Sequence, residues 1–262
     1  MKTVLVTGSA GGMGSSICKT LLSQGYKVFA LDLKETQIEG VTSITCDITK
    51  LDELEKAKDT FLSYSSNLDC IVHAAGIYDL DALSEISDER FRRIFEINVF
   101  GAYRINKLFT PLMDKGGRIT IITSELAPLN PLPFTGIYAV TKAALDKYAY
   151  SLRSELSLRG IFVSIVRPGA VKTGLLNVST TALERFCANT KYFAPNAAHF
   201  KDIVDRVEAK SVSPDKIAKL VSKSLNKKHP RFVYNINRNF LLRLMSILPD
   251  HFQVWILKQI LK

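Results

Sequence analysis

Lys2-Thr3-Val4-Leu5-Val6-Thr7-Gly8-Ser9-Ala10-Gly11-Gly12-Met13-Gly14 is the stretch that decides the fold of this chain. Its first six residues read as a buried strand. The glycines then permit a tight turn, and Ile17, Cys18, Leu21 and Leu22 follow at helical spacing up to Ser23. Strand, glycine turn and helix open a dinucleotide-binding fold, in which glycine lets the backbone approach a pyrophosphate seated on the helix N-terminus. A second strand, Lys27 to Leu31, ends at Asp32. A carboxylate there accepts hydrogen bonds from the ribose hydroxyls of NAD and repels the 2′-phosphate of NADP. No Lys or Arg precedes Gly12 in the turn and Leu33 follows Asp32, so NAD is expected; Lys34 keeps NADP as the alternative.

Farther along, Ser124 ends an apolar run and Tyr138-Ala139-Val140-Thr141-Lys142 follows. A four-residue step on a helix rises about 6 Å and returns both side chains to one face. An ammonium beside a phenol favours the tyrosinate, so the phenol can trade a proton with an alcohol or ketone near neutral pH. By itself such a pair is usually no more than an aromatic and a lysine on one helix face. The glycine turn upstream gives it weight.

These motifs, in this order, resemble the short-chain dehydrogenase/reductase family over about residues 2 to 235. Thr7-Gly8-x-x-x-Gly12-x-Gly14 is similar to its cofactor turn, and Cys46-Asp47-Ile48 to the segment that contacts adenine. His73-Ala74-Ala75-Gly76 stands where the family has Asn-Asn-Ala-Gly. Asn98, Ser124, Tyr138 and Lys142 match its catalytic tetrad, and Pro168-Gly169-x-x-x-Thr173 the segment closing over nicotinamide. The resemblance implies cofactor contacts from Gly8, Ser9, Gly12, Met13, Gly14, Asp32 and Leu33, and from Cys46, Asp47 and Ile48. It implies more from Ala74, Ala75, Gly76 and Ile122, from Tyr138 and Lys142, and from Pro168, Gly169, Val171 and Thr173. In the implied roles Tyr138 exchanges the proton, Ser124 steadies the substrate oxygen, Lys142 tunes Tyr138 and binds the nicotinamide ribose, and Asn98 holds a water that links Lys142 to solvent. His73 and Ala74 depart from the family motif, and His73 is expected to be a hydrogen-bonded structural residue.

Length and composition agree with one large α/β domain: 262 residues, 29.2 kDa and 47% hydrophobic. The pattern alternates. Strands are expected at 43–46, 69–73, 118–123, 161–166 and 231–234, and helices at 50–64, 88–113 and 136–158. This implies a doubly wound parallel sheet of about seven strands, a Rossmann fold, with a short helical C-terminal extension. The expected domain spans 1–262, with the core at about 2–235 and the extension at about 240–262. Cys18, Cys46, Cys70 and Cys187 are scattered, pointing to reduced thiols in a reducing, cytoplasmic setting. The four histidines show no metal-ligand spacing. With the first strand starting at residue 2, no leader peptide is expected, and no apolar run is long enough to span a membrane.

Two segments bear on the substrate. After Thr173, Leu175, Leu176, Phe186, Tyr192, Phe193 and Phe200 make an apolar, aromatic loop, its side chains either lining a pocket or packing the loop onto the domain. Pro128, Pro131 and Pro133 stiffen the loop between Ser124 and Tyr138, expected to be one wall of the substrate site. From Pro214 to Lys262, ten basic residues face two acidic ones, a net +8 of the chain's +10. Ser213-Pro214-Asp215 starts a helix there whose buried side carries Ile217, Leu220, Val221 and Leu225. Beyond residue 240 two short apolar helices meet at Pro249-Asp250. They suit a peripheral membrane contact, a subunit contact or a cover over the cleft. Interleaved aliphatics and the lack of a nucleic-acid motif argue against nucleic acid.

The expected function is hydride transfer between NAD and a small hydrophobic secondary alcohol or ketone, steroid-, retinoid- or lipid-like. The resemblance further implies a homodimer or homotetramer. A 3-oxoacyl reductase and a non-catalytic dinucleotide sensor are the alternatives.

Overall fold

The computed structural model describes residues 1–208 and 210–262, with the backbone alone for 174–179 and 206–208. Five consecutive buried residues, Thr3–Thr7, form β1. The glycine turn feeds helix α1, Gly12–Ser23. Then come β2 (Lys27–Asp32), β3 (Thr42–Thr45), α2 (Leu51–Tyr64) and β4 (Cys70–His73). The helical stretch that follows is α3 (Asp88–Phe95), a π turn (Glu96–Phe100) and α4 (Gly101–Phe109). Next are β5 (Arg118–Ile122), α5 (Gly136–Ser157) and β6 (Phe162–Pro168). The chain ends with α6 (Gly174–Asn189), α7 (Ala194–Glu208), α8 (Pro214–Asn226), β7 (Val233–Ile236), α9 (Phe240–Met245) and α10 (Asp250–Ile260).

All seven strands pair in parallel in the order β3-β2-β1-β4-β5-β6-β7. Strand order reverses between β1 and β4, which opens a crevice at their carboxyl ends, the usual ligand position in such sheets. Parallel strands are covered on both faces, hence the near-continuous apolar runs. On one face Phe29, Phe61, Phe109 and Leu145 pack under α2, α4 and α5, with the Phe29 and Phe61 rings edge to face at 4.6 Å. On the other, Ile17, Leu21, Val221 and Leu225 join α1 to α8, and the Ser16 hydroxyl donates to Asp215 Oδ1 at 2.6 Å. A third cluster, Phe134, Phe186, Phe200 and Leu261, lies under α6 and α7.

Two sequence expectations change. The helix expected as one piece over 88–113 widens at Glu96–Phe100, with Asn98 at the centre of the π turn. Such turns insert a residue and redirect a side chain, often at functional positions. The apolar stretch after Thr173 is two helices rather than a loop. Ala, Leu, Glu and Arg favour helix there, and Pro195 falls in the first turn of α7, where proline is tolerated.

Gly8 has φ +70°, and a Cβ on it would sit 2.5 Å from the Ala75 backbone nitrogen. We expect Gly8→Ala to cost at least ~2 kcal/mol, because both the left-handed backbone and the contact with the β4 end are violated. Urea unfolding checks this: the midpoint should fall with an unchanged slope, and an unaltered midpoint would contradict it.

Candidate active site

The crevice holds a cavity of about 210 Å³. Three chain segments bring the expected site residues to it. Ser124 follows β5, Tyr138 and Lys142 stand in the first turns of α5, and Pro168-Gly169 ends β6. Lys142 is buried, and its ammonium lies 5.6 Å from the Tyr138 ring centroid. Its hydrogen-bond partner is the Ile122 carbonyl at 3.3 Å. Burial pulls Lys142 down to about 8. Burial also pushes the Tyr138 phenol up to about 12, partly opposed by its hydrogen bond with Ser124. The desolvation of both groups thus outweighs the lysine's pull on the phenol that the sequence suggested. Both shifts favour the neutral forms, and the protonated phenol is the form that can donate a proton to a carbonyl oxygen.

Asn98 is bonded both to the segment after β4 and to α5. Its Oδ1 accepts from Ile77 N–H at 2.8 Å, while Nδ2 donates to the Ile77 carbonyl at 3.0 Å and to Thr141 Oγ1 at 3.1 Å. It therefore ties the segment after β4 to α5. Gly76 lies between Asn98 and Lys142: a Cβ there would be 3.2 Å from Asn98 Oδ1 and 3.3 Å from Lys142 Nζ.

The residues fit a dinucleotide. Among the described residues Lys142 has one acceptor for three N–H bonds, leaving donors for ribose hydroxyls in the cavity. Gly12 keeps the groove open beside Thr173, whose side chain would lie 3.0 Å from an added Cβ. Asp32 sits half-buried at the end of β2; its Oδ2 accepts from Ala10 N–H at 3.0 Å, which braces the turn and leaves further lone pairs.

Of the expected cofactor residues, Met13, Ala74, Gly76, Ile122, Tyr138 and Lys142 line the cavity, as do Pro168, Gly169, Val171 and Thr173. Gly8 and Gly14 build the adjoining turn against the Ala75 backbone, and Leu33 is exposed next to Asp32. Other side chains are turned away. Ser9 is fully buried with its hydroxyl 2.7 Å from Thr36 Oγ1, and Cys46 and Ile48 lie in the core. Asp47 Oδ1 caps Thr49 by accepting from its N–H and hydroxyl. His73 is buried and faces Asn106 Oδ1 at 2.9 Å, and Asn106 donates to the Tyr148 hydroxyl at 3.0 Å. Since Asn106 Oδ1 can only accept, the His73 Nε2 carries the proton.

Sequence reasoning did not single out several wall residues: Glu125, Leu126 and Leu132 of the loop before α5, Ile203 and Val204 of α7, and Leu242 of α9. Phe200 lines the cavity, whereas Phe186 and Phe193 pack around Phe134 and Tyr192 is 74% exposed. The side chains of Leu175 and Leu176 lie outside the described residues. Glu125 is the unforeseen polar group: buried, pushed up by that burial, with Oε2 accepting from Asn239 N–H at 2.6 Å.

Comparison with known proteins agrees with this geometry. The family model described as short chain dehydrogenase matches residues 2–184, and the chain belongs to that family. Estradiol 17-beta-dehydrogenase 2 of Mus musculus is 32% identical over 66% of this chain and 49% of its own length. The 3-ketodihydrosphingosine reductase of Bacteroides thetaiotaomicron is 24% identical over 97% of this chain and 96% of its own. A short-chain dehydrogenase structure from Streptomyces avermitilis superposes with a TM-score of 0.79 at 23% identity, covering 98% and 95% of the two chains. The chain is thus an oxidoreductase of a family that uses NAD(H) or NADP(H).

His73 gives a pH signature. Burial holds its pKa down at about 4, against an ordinary 6.5. The unfolded chain takes up the proton first, so stability is complete above pH 6.5 and is lost as pH falls toward 4. The loss is on the order of 3 kcal/mol. Urea titrations across this range should show the slope in the parent protein and a flatter one in His73→Asn; equal slopes would contradict it.

Proposed function

We propose that this protein interconverts a hydrophobic secondary alcohol and its ketone, steroid-, retinoid- or lipid-like, with NAD preferred over NADP. The observation that carries the reading is the Ser124, Tyr138 and Lys142 group at one end of a cavity walled largely by aliphatic side chains, among them Leu126, Leu132, Ile203, Val204 and Leu242. Relatives named for estradiol and for 3-ketodihydrosphingosine support an apolar substrate body. Bound in the crevice, the nicotinamide would supply or accept the hydride. Ser124 holds the substrate oxygen by a hydrogen bond. Tyr138 gives that oxygen its proton in reduction and takes it back in oxidation. Lys142 fixes the ribose through its free N–H bonds, and its charge steadies the tyrosinate left behind. Asn98 holds the Ile77 backbone and α5 in register. Asp32 favours NAD because its charge opposes a 2′-phosphate.

Tyr138→Phe should lower turnover by ~10²–10⁴ while dinucleotide binding stays near the parent value. A panel of steroids, retinoids, acyl ketones and small alcohols supplies the substrate. Calorimetry with NAD and NADP reads cofactor binding and preference together. Unchanged turnover would remove Tyr138 from the mechanism, and tighter NADP binding would overturn the role given to Asp32.

Among the described residues, hydrogen bonds hold the extension against its own chain. Glu125 takes Asn239 N–H; Asn130 Nδ2 donates to Asp250 Oδ1 at 3.0 Å and Gln253 Oε1 at 3.3 Å; Asn196 Nδ2 donates to the Leu261 carbonyl at 2.6 Å. Leu242 faces the cavity while Phe240, Leu241, Leu244, Ile247, Phe252 and Trp255 stay at least half exposed. No helix among the described residues is long and apolar enough to cross a membrane. The reading extends to a peripheral contact of this outer face with an anionic lipid surface, supported by Arg243, Lys258 and Lys262 in the same segment. Basic residues contribute ~1 kcal/mol each near such a surface, and apolar burial adds a part that salt does not screen. Sedimentation with anionic vesicles should carry the protein down, and Trp255, the single tryptophan, should shift its emission to the blue. No shift together with a larger oligomer mass in the intact chain than in one lacking residues 240–262 would make the face a subunit contact instead.

A further inference from the structure

A second cavity, of about 470 Å³, lies against the first. The two share Ile77 and Tyr78 as a wall. On the catalytic side the Tyr78 ring is 4.7 Å from the Tyr138 ring, so the partition is one side chain thick at that point. Its far side differs in chemistry from the aliphatic chamber: Arg90 and Arg93 come from α3, Arg185 from α6 and Asp79 from the segment after β4.

The charges in this second cavity are not balanced. Arg90 is consumed by the fold. Its Nε and Nη2 donate to Asp79 at 3.1 and 2.8 Å, Nη2 also reaches the Leu80 carbonyl at 3.2 Å, and Nη1 pairs with Asp81. Arg185 makes one ion pair, to Asp79 Oδ1, and its side chain remains 40% exposed. The Arg93 guanidinium is exposed at the cavity with no ion pair or hydrogen bond among the described residues. Among the described residues three guanidiniums thus face two carboxylates, both already bonded by arginine. Among them one charge is left over, and donors of two forks remain unused. A guanidinium fork suits the planar oxygens of a carboxylate and the oxygens of a phosphate. The fixed Asp79–Arg90 pair keeps Arg185 in place without charge from a ligand.

We propose that this cavity holds the anionic end, carboxylate or phosphate, of an amphipathic substrate whose ketone or alcohol carbon lies at Ser124 and Tyr138. This rests on the reading of that pair as the reacting centre. The apolar body would fill the aliphatic chamber and pass Tyr78, and the charged end would meet Arg93 and Arg185. The arrangement selects for a hydrocarbon with a charge at one end and against a neutral one of equal size.

The test uses a homologous series of medium- and long-chain methyl-ketone acids, each beside its neutral primary amide, titrated calorimetrically into the full chain. At the best length the acid should bind roughly tenfold tighter than its amide, the gain expected of one charge-assisted hydrogen bond. Arg93→Ala, which removes no hydrogen bond or ion pair among the described residues, should bring the acid down to the amide and leave the amide unchanged. Arg93→Lys should restore part of the gain. Inorganic phosphate should weaken binding of the acid alone. Equal affinity of acid and amide at every length overturns the proposal, as does a preference that survives Arg93→Ala. Phosphate binding without any acid preference marks a free-anion site and also overturns it. Turnover of the amides reports separately on the reacting centre. Its absence would sink the proposed activity and leave the binding comparison standing.

Discussion

The backbone of Gly8 lies against the backbone of Ala75 with no room for a side chain between them, and the rest of the site depends on that approach. β1 and β4 are neighbours, yet their connections leave the sheet in opposite directions. A crevice at this point is a consequence of topology, but its width is set by the turn that closes it. A Cβ on Gly14 would fall 2.0 Å from the Gly8 carbonyl oxygen, so the turn is packed on itself as tightly as on β4. Glycine here serves close packing first. The open groove beside Gly12 is what remains above it.

Onto this frame the chain places two ionisable groups whose burial pushes them toward their neutral forms. Lys142 and Tyr138 share a helix face, so neither leaves the other's vicinity without unwinding α5. Burying an ammonium is unfavourable, and the nearby carbonyl of Ile122 offsets only part of that. A lysine near 8 beside a phenol near 12 is a pair whose balance a bound dinucleotide and substrate oxygen would shift, because both would add hydrogen bonds to the charged forms.

Much of this was legible in the sequence because the relevant signals are local. A strand buried on both faces writes a continuous apolar run, as in Val4-Leu5-Val6, and glycine marks the turn that follows. Tyr138 and Lys142 are one helical turn apart, and Ser124 stands at a strand end. What sequence could not supply is direction and distance across the fold. Ser9, Cys46 and Ile48 sit in matching motif positions, yet their side chains point inward. The π turn at Asn98 has no local signature, since it arises from the side chain's bonds to Ile77 and Thr141, 21 and 43 residues away. Leu242 and Ile203 enter the cavity from helices whose apolar residues are equally compatible with core packing. The arginines of the second cavity read singly as solvated helix positions, because only the fold brings Arg93 and Arg185 to the back of Tyr78.

The division of labour between floor and roof follows from where these parts come from. The floor is made by strand ends and the first turns of α1 and α5, held by the sheet's hydrogen bonds and therefore hard to vary without loss of the fold. The roof is made by the loop before α5, by α7 and by α9, joined to one another through side-chain amides and one buried carboxylate. Asn130 reaches Asp250 across 120 residues and Glu125 reaches Asn239 across 114. Such contacts contribute roughly a kilocalorie per mole each, far less than the sheet beneath them. A roof of this kind changes by substitution without disturbing the chemistry below, and opens more readily than the floor. Glu125 sits at the junction: it follows Ser124 in the chain and holds the start of the extension. Movement of the extension is therefore felt one residue from Ser124.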